Sequence, residues 1–160
     1  MKDINYKRIL FPTDGSQLSL IALPHVVSLA NAFDSEVVLL HVVNSIGREI
    51  AFYAAPGMYP VGLGEAAVDI VKENKRLAKK KLEVVRDKLV AGGVKKNILQ
   101  VQEGAAENNI IETIKKEKCD LVVMTSHGRS GFERAIVGSV TDHVMRHATC
   151  PVLVVRPVKA

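Results

Sequence analysis

The stretch Glu36–Val43, EVVLLHVV, decides the fold. It is a nearly continuous run of β-branched residues and leucine, entered from Asp34-Ser35. A strand with one wet face alternates apolar and polar side chains. A run this uniformly apolar suits a strand covered on both faces, as in a parallel sheet. Upstream, Arg8–Phe11 is a short apolar run ending at Pro12, with Asp14-Gly15-Ser16 as a turn. Leu18, Ala22, Val26, Leu29, Ala30 and Phe33 then recur at helical spacing. Downstream, Ala67, Ile70, Val71, Ala78, Leu82, Val85 and Leu89 mark a long helix stopped by Gly92-Gly93. Asn97–Gln102 predicts a third strand, Ile110, Ile111 and Ile114 a third helix, and Leu121–Met124 a fourth strand. Ser139–His147 predicts a fourth helix with Val140, Val144 and Met145 inward, and Pro151–Val155 a final strand. The alternation β-α-β-α-β-α-β-α-β predicts one α/β domain over residues 1–160. Its sheet is open and parallel, with helices on both faces and right-handed crossovers.

The chain has 160 residues, 48% hydrophobic and 24% charged, which fits one globular domain with its own core. Cys119 and Cys150 form no C-x-x-C pair, which argues against a disulfide scaffold or a cysteine zinc site. No apolar run approaches the roughly 18 residues needed to span a bilayer. The start, MKDINYKRILFPTDGS, lacks the apolar stretch of a signal peptide, so a cytoplasmic protein is expected. The net charge of +5 raises nucleic acid as a partner, but the lysines of Lys72–Lys88 are interleaved with Glu73, Glu83 and Asp87. Three Tyr, four Phe and no Trp leave little for base stacking. A solvated helix face explains the cluster better than nucleic-acid binding does.

One segment breaks the rhythm. Asn44–Gly64 carries Gly47, Pro56, Gly57, Pro60, Gly62 and Gly64 beside Phe52, Tyr53, Met58 and Tyr59. Connections are usually about 4–6 residues, so this one reads as a lid, a contact with another chain, or a mobile insertion.

Two stretches carry candidate chemistry. Thr125–Ser139, TSHGRSGFERAIVGS, follows a buried strand and leads into a helix. Gly128 and Gly131 let the backbone approach a ligand closely. Gly138-Ser139 sits at a helix start, where free N–H groups and the helix dipole attract anions. Hydroxyls at Ser139 and Thr141 are available to donate to phosphate oxygens. The bland alternative is turn glycines with a serine cap. The second stretch, FPTDGS at Phe11–Ser16, places Asp14 where an open α/β sheet presents a carboxylate to its ligand crevice. Asp14 either meets ribose hydroxyls, the adenine amino group or a water-bound metal, or it closes an Asx-turn.

PTDGS after the first strand, HVV ending the second, SHGRSG…GS before a helix, and CPVLVV together resemble the universal stress protein family, over Tyr6 to Val155. That family's ATP-binding signature is Gly, two residues, Gly, nine residues, then Gly-Ser or Gly-Thr. Gly128, the nine residues Arg129–Val137, and Gly138-Ser139 match its later parts, while Thr125 stands in place of the first glycine. The resemblance implies an adenine-nucleotide alpha-hydrolase-like fold with strand order 3-2-1-4-5. It implies that Pro12, Thr13 and Asp14 meet adenosine and that the Val42 backbone reads the adenine edge. Met124, Thr125, His127 and Gly128 would line the ribose and phosphate path. Gly138, Ser139, Val140 and Thr141 would hold the phosphates of ATP or AMP, with any magnesium carried on those phosphates. It also implies a homodimer paired through Pro151–Val155.

Other readings fit less well. There is no G-x-x-x-x-G-K-[ST] P-loop, and no G-x-G-x-x-G follows the first strand. A phospho-accepting receiver domain wants an acidic cluster, and Asp14 stands alone. His143 and His147 have metal-ligand spacing without the glutamate of H-E-x-x-H. Adjacent Ser126 and His127 do not make a triad, which is defined by geometry. Phosphoryl transfer would fall to Asp14, His127, Arg129 and Arg134, a set without an evident base for water. The residues therefore favour a nucleotide-binding regulator with little or no turnover over a slow ATP-cleaving or transferring enzyme. A stress-related interaction module without a ligand is the third reading.

Overall fold

The computed structural model of the chain describes residues 4–45, 63–126 and 137–157. Most of Asn44–Gly64 (residues 46–62) therefore lies outside the described residues, as do His127, Gly128, Arg129, Gly131 and Arg134. In chain order the elements are β1 (Arg8–Pro12), a 3-10 turn (Ser19–Ala22), α1 (Leu23–Phe33), β2 (Glu36–Val43) and α2 (Leu63–Ala91). There follow β3 (Asn97–Glu103), α3 (Ala106–Lys116), β4 (Leu121–Thr125), α4 (Ser139–His147) and β5 (Val152–Val155). The five strands form one sheet in the order β3-β2-β1-β4-β5, with every pairing parallel.

Period-two alternation along the central strands divides the core into two layers. Ile9, Phe11, Val37, Leu39 and Val123 face α1 and α2, where they meet Val26, Ala30, Leu82, Val85 and Leu89. Leu10, Val38, Leu40, Val122 and Met124 face the other way, against Ile110 and Ile114 of α3 and Val144 of α4. Both faces of β2 are covered, and its buried residues are apolar except His41. Cys119 and Cys150 pack in this second layer, both as free thiols. Burial first, and the nearby Cys150 next, push the Cys119 thiol up to about 12.

Helix ends follow local chemistry. Asp34 ends α1 in the left-handed region at φ 52°, and the Ser35 N–H donates to Ala30 O at 2.9 Å. Gly93, at φ +95°, turns the chain out of α2. A Cβ on Gly92 would sit 2.8 Å from Val27 Cγ1, so α1 and α2 approach closely there.

Two expectations need correction. Met145 is 42% exposed, not inward; Ile70, inside the helix it marked, is likewise 49% exposed. Apolar periodicity marks the side of a helix near the core but not how far along its length the core extends. The expected continuous helix from Leu18 starts instead as a 3-10 turn over Ser19–Ala22, with Pro24 at the start of α1. Proline suits the first helical turn, where its missing N–H has no partner to lose.

Candidate functional site

The cleft lies where the strand order reverses, between β1 and β4, at the carboxyl ends of the strands. This is where open α/β sheets leave a crevice. Its volume is about 900 Å³.

The loop after β1 is held by its own side chains. The Thr13 N–H donates to Leu40 O at 2.9 Å, which ends the β1–β2 ladder. Thr13 Oγ1 lies 2.8 Å from Ser19 Oγ and accepts from the Gly15 N–H at 3.1 Å. Asp14 Oδ1 accepts from the Ser16 N–H at 3.0 Å, so an Asx-turn is formed. Gly15, at φ +73°, takes the left-handed position that this turn needs. Asp14 is half-buried and lines the cleft.

β2 runs past β1. The pairing of the two strands ends at Pro12 with Leu40, whereas β2 pairs with β3 as far as Val43. In a parallel strand successive residues direct their N–H and C=O to opposite neighbours. The Glu36 N–H goes to Lys7 O and Leu40 O serves Thr13, so even-numbered residues face the β1 side. Val42 therefore turns its main-chain donor and acceptor toward the crevice, beyond the point where β1 ends.

On the opposite wall, Met124 and Thr125 end β4, both buried. The Gly138 N–H donates to Ser126 O at 2.8 Å and fixes the start of α4 beside the end of β4. The first N–H with an intrahelical acceptor is that of Asp142, to Gly138 O at 2.9 Å. The N–H groups of Ser139, Val140 and Thr141 thus have no partner inside the helix. Gly138, the N-cap, gives no side-chain cap. The Thr141 hydroxyl departs from expectation, because it donates to Thr125 O at 3.0 Å and the residue is buried. Thr141 thus faces the cleft through its main chain, and its side chain locks α4 to β4.

The described site residues expected from the sequence come together here. Pro12, Thr13, Asp14, Val42, Met124, Thr125, Gly138, Ser139, Val140 and Thr141 all line the cleft. His127 and Gly128 lie outside the described residues. Sequence reasoning missed the wall supplied by α2, namely Asn74, Leu77, Lys80 and Lys81. A signal was present: Lys81 follows Ala78 by one helical turn, so it borders the buried stripe Ala78–Leu82–Val85. His41, buried on β2, also lines the cleft. His143 and His147 stack with ring centroids 4.2 Å apart on α4. Among the described residues no group of three or more His, Cys, Asp or Glu is placed to hold a metal ion, and no helix is long and apolar enough to cross a membrane.

A crevice at this reversal, walled by an Asx-turn and an uncapped helix start, places the chain in the class of open parallel α/β domains with a crevice at the carboxyl ends of the strands. The family model described as "Universal stress protein family" matches residues 5–156. The universal stress protein MJ0531 of Methanocaldococcus jannaschii is 37% identical over 96% of this chain and 84% of its own. The solved structure of MJ0577 superposes with a TM-score of 0.83 at 30% identity, covering 98% of this chain and all of that one. The chain belongs to the universal stress protein family. More distant structures share the fold. One is a universal stress protein in complex with cAMP, with TM-score 0.65 and 21% identity over 95% of this chain and 98% of that one. Another is an Arabidopsis thaliana family member with AMP bound, with TM-score 0.61 and 18% identity over 95% and 92%.

Proposed function

We propose that this protein binds an adenine nucleotide, ATP or AMP, in the cleft and acts as a stress-response regulator with little or no turnover. The observation that carries this reading is the convergence, in one crevice, of the Val42 main-chain pair, Asp14 and the open N-terminus of α4. The first offers a donor and an acceptor for a purine edge, the second an acceptor for ribose hydroxyls, and the third N–H groups for phosphate oxygens. Family members with AMP and with cAMP bound support the ligand class. Asp14 is the one carboxylate among the described lining residues, a thin set for hydrolysis, and magnesium would be carried on the phosphates.

Asp14 tests the reading directly. A carboxylate accepting from ribose hydroxyls contributes about 1.5–3 kcal/mol. Asp14→Ala is therefore expected to weaken ATP roughly tenfold or more by calorimetry. Asp14→Asn keeps an oxygen for the Ser16 N–H but loses the charge, and it should weaken binding as well. Wild-type affinity in the Asn variant, with loss only in the Ala variant, would reduce Asp14 to a turn residue.

We further propose that the protein is a homodimer paired through β5, in the cytoplasm. β5 is the last strand of the sheet and pairs only with β4 among the described residues. Pro151 O accepts from the Val122 N–H and Val155 O from the Ser126 N–H, so odd-numbered residues of β5 face β4. Val152 and Val154 turn their N–H groups to the open edge, and Leu153 is 36% exposed. A second copy satisfies such an edge. Val154→Pro removes an outward donor while sparing the ladder to β4. Light scattering at tens of micromolar should show a wild-type dimer and a variant monomer. A monomeric wild type ends the proposal.

A further inference from the structure

α2 supplies the cleft with two cations, Lys80 and Lys81, that make no ion pair among the described residues. We infer that Lys80 and Lys81 are specificity residues that favour a chain of phosphates over a single phosphate, an inference that rests on the nucleotide reading above. Three other basic residues of this part of α2, Lys72, Lys75 and Arg76, are matched by acids. Lys72 Nζ lies 3.8 Å from Asp69, Lys75 Nζ 3.0 Å from Glu103, and Arg76 2.6 Å from Glu73. Lys80 and Lys81 both line the cleft and make no ion pair among the described residues. Glu73 is close enough to feel the charge of Lys80, but Arg76 holds its carboxylate with hydrogen bonds of 2.7 and 2.6 Å.

The position of Lys81 is fixed by packing. A Cβ built on Gly15 would lie 3.2 Å from Lys81 Cβ, so the stem of the lysine rests on the turn that carries Asp14. A lysine stem lying on backbone this way keeps its ammonium in water at the edge of the contact. Other positive ends face the same space. The N-terminus of α3 at Ala106 and that of α4 at Ser139 both open on the cleft, and neither has a side-chain cap. Two ammonium groups and two helix N-termini thus stand against one carboxylate, Asp14. A monophosphate is served by the start of α4 alone. The charge beyond it is what a longer phosphate chain neutralises, and lysine, a compact charge on a flexible stem, suits a phosphate chain without fixing its conformation.

The experiment is calorimetry with ATP, AMP and adenosine on the full chain. The proteins are wild type, Lys80→Gln/Lys81→Gln, and Lys79→Gln/Lys88→Gln. The last pair removes two exposed lysines of the same helix that do not line the cleft, and it controls for general charge. The cleft variant is expected to lose roughly tenfold in ATP affinity, with AMP and adenosine changed by less than about twofold. The preference of wild type for ATP over AMP should shrink as salt is raised. Equal weakening of all three ligands, an equal loss in the control pair, or unchanged ATP affinity would each overturn the inference. A wild type that binds AMP and adenosine but shows no preference for ATP would also overturn it, while leaving the nucleotide reading intact. A wild type that binds none of the three would overturn the nucleotide reading itself.

Discussion

Gly138→Val is expected to abolish adenine-nucleotide binding, with affinity falling by roughly a hundredfold or more, while the protein stays folded. The backbone at Gly138, with φ −58° and ψ 149°, is one that any residue adopts. Conformation therefore does not call for glycine there, whereas the proposed close approach of phosphates would. A branched side chain at the N-cap would stand over the N–H groups of Ser139, Val140 and Thr141, where the phosphates are proposed to sit. Its cost to the helix is small, because an unfavourable cap costs about 1 kcal/mol. Circular dichroism should show an unchanged fold and calorimetry no heat of ATP binding. A variant that is folded and binds ATP as wild type does would mean that the phosphates lie elsewhere.

Phe11→Ala should give the largest loss of stability. Phe11 is fully buried in the layer between β1 and the α1–α2 pair. Truncating a buried phenylalanine costs about 3–5 kcal/mol, through lost transfer energy and the cavity left behind. Domains of this kind have about 5–15 kcal/mol in total, so the variant stands near the limit of folding. Urea denaturation should show a lower midpoint with an unchanged slope. A loss under about 1 kcal/mol would show that the layer can collapse around the missing ring. Phe11 also immediately precedes Pro12, Thr13 and Asp14. A folded Phe11→Ala protein should therefore hold the Asx-turn less firmly and bind nucleotide more weakly.

The strands were legible because burial on both faces writes itself as uninterrupted apolar sequence. VVLLHVV on β2 and LVVM on β4 each became a central strand of the sheet. The crevice was legible because the ends of β1 and β4 carry turn and glycine chemistry that a buried strand does not need. Less was legible where the decisive fact is a distance across the fold. Thr141 looks in sequence like a free hydroxyl at a helix start, and only the packing of α4 on β4 shows that Thr125 O takes it. Lys80 and Lys81 sit in a solvated lysine row; spacing places Lys81 beside the buried stripe, but it says nothing about which end of the helix overhangs the sheet. Ile70 and Met145 satisfy helical spacing and are still exposed, because apolar pattern cannot report where the opposing surface stops.

The overrun of β2 past β1 has a consequence for how the site can change over time. The groups that Val42 offers to the crevice belong to the main chain, which is the same whatever side chain position 42 carries. Substitutions there can accumulate without altering the edge that a base would meet, and only proline, lacking the N–H, would remove it. The part of the site proposed to read the base is thus written in strand length. It is kept by where β1 stops and leaves no signature in the identity of residue 42.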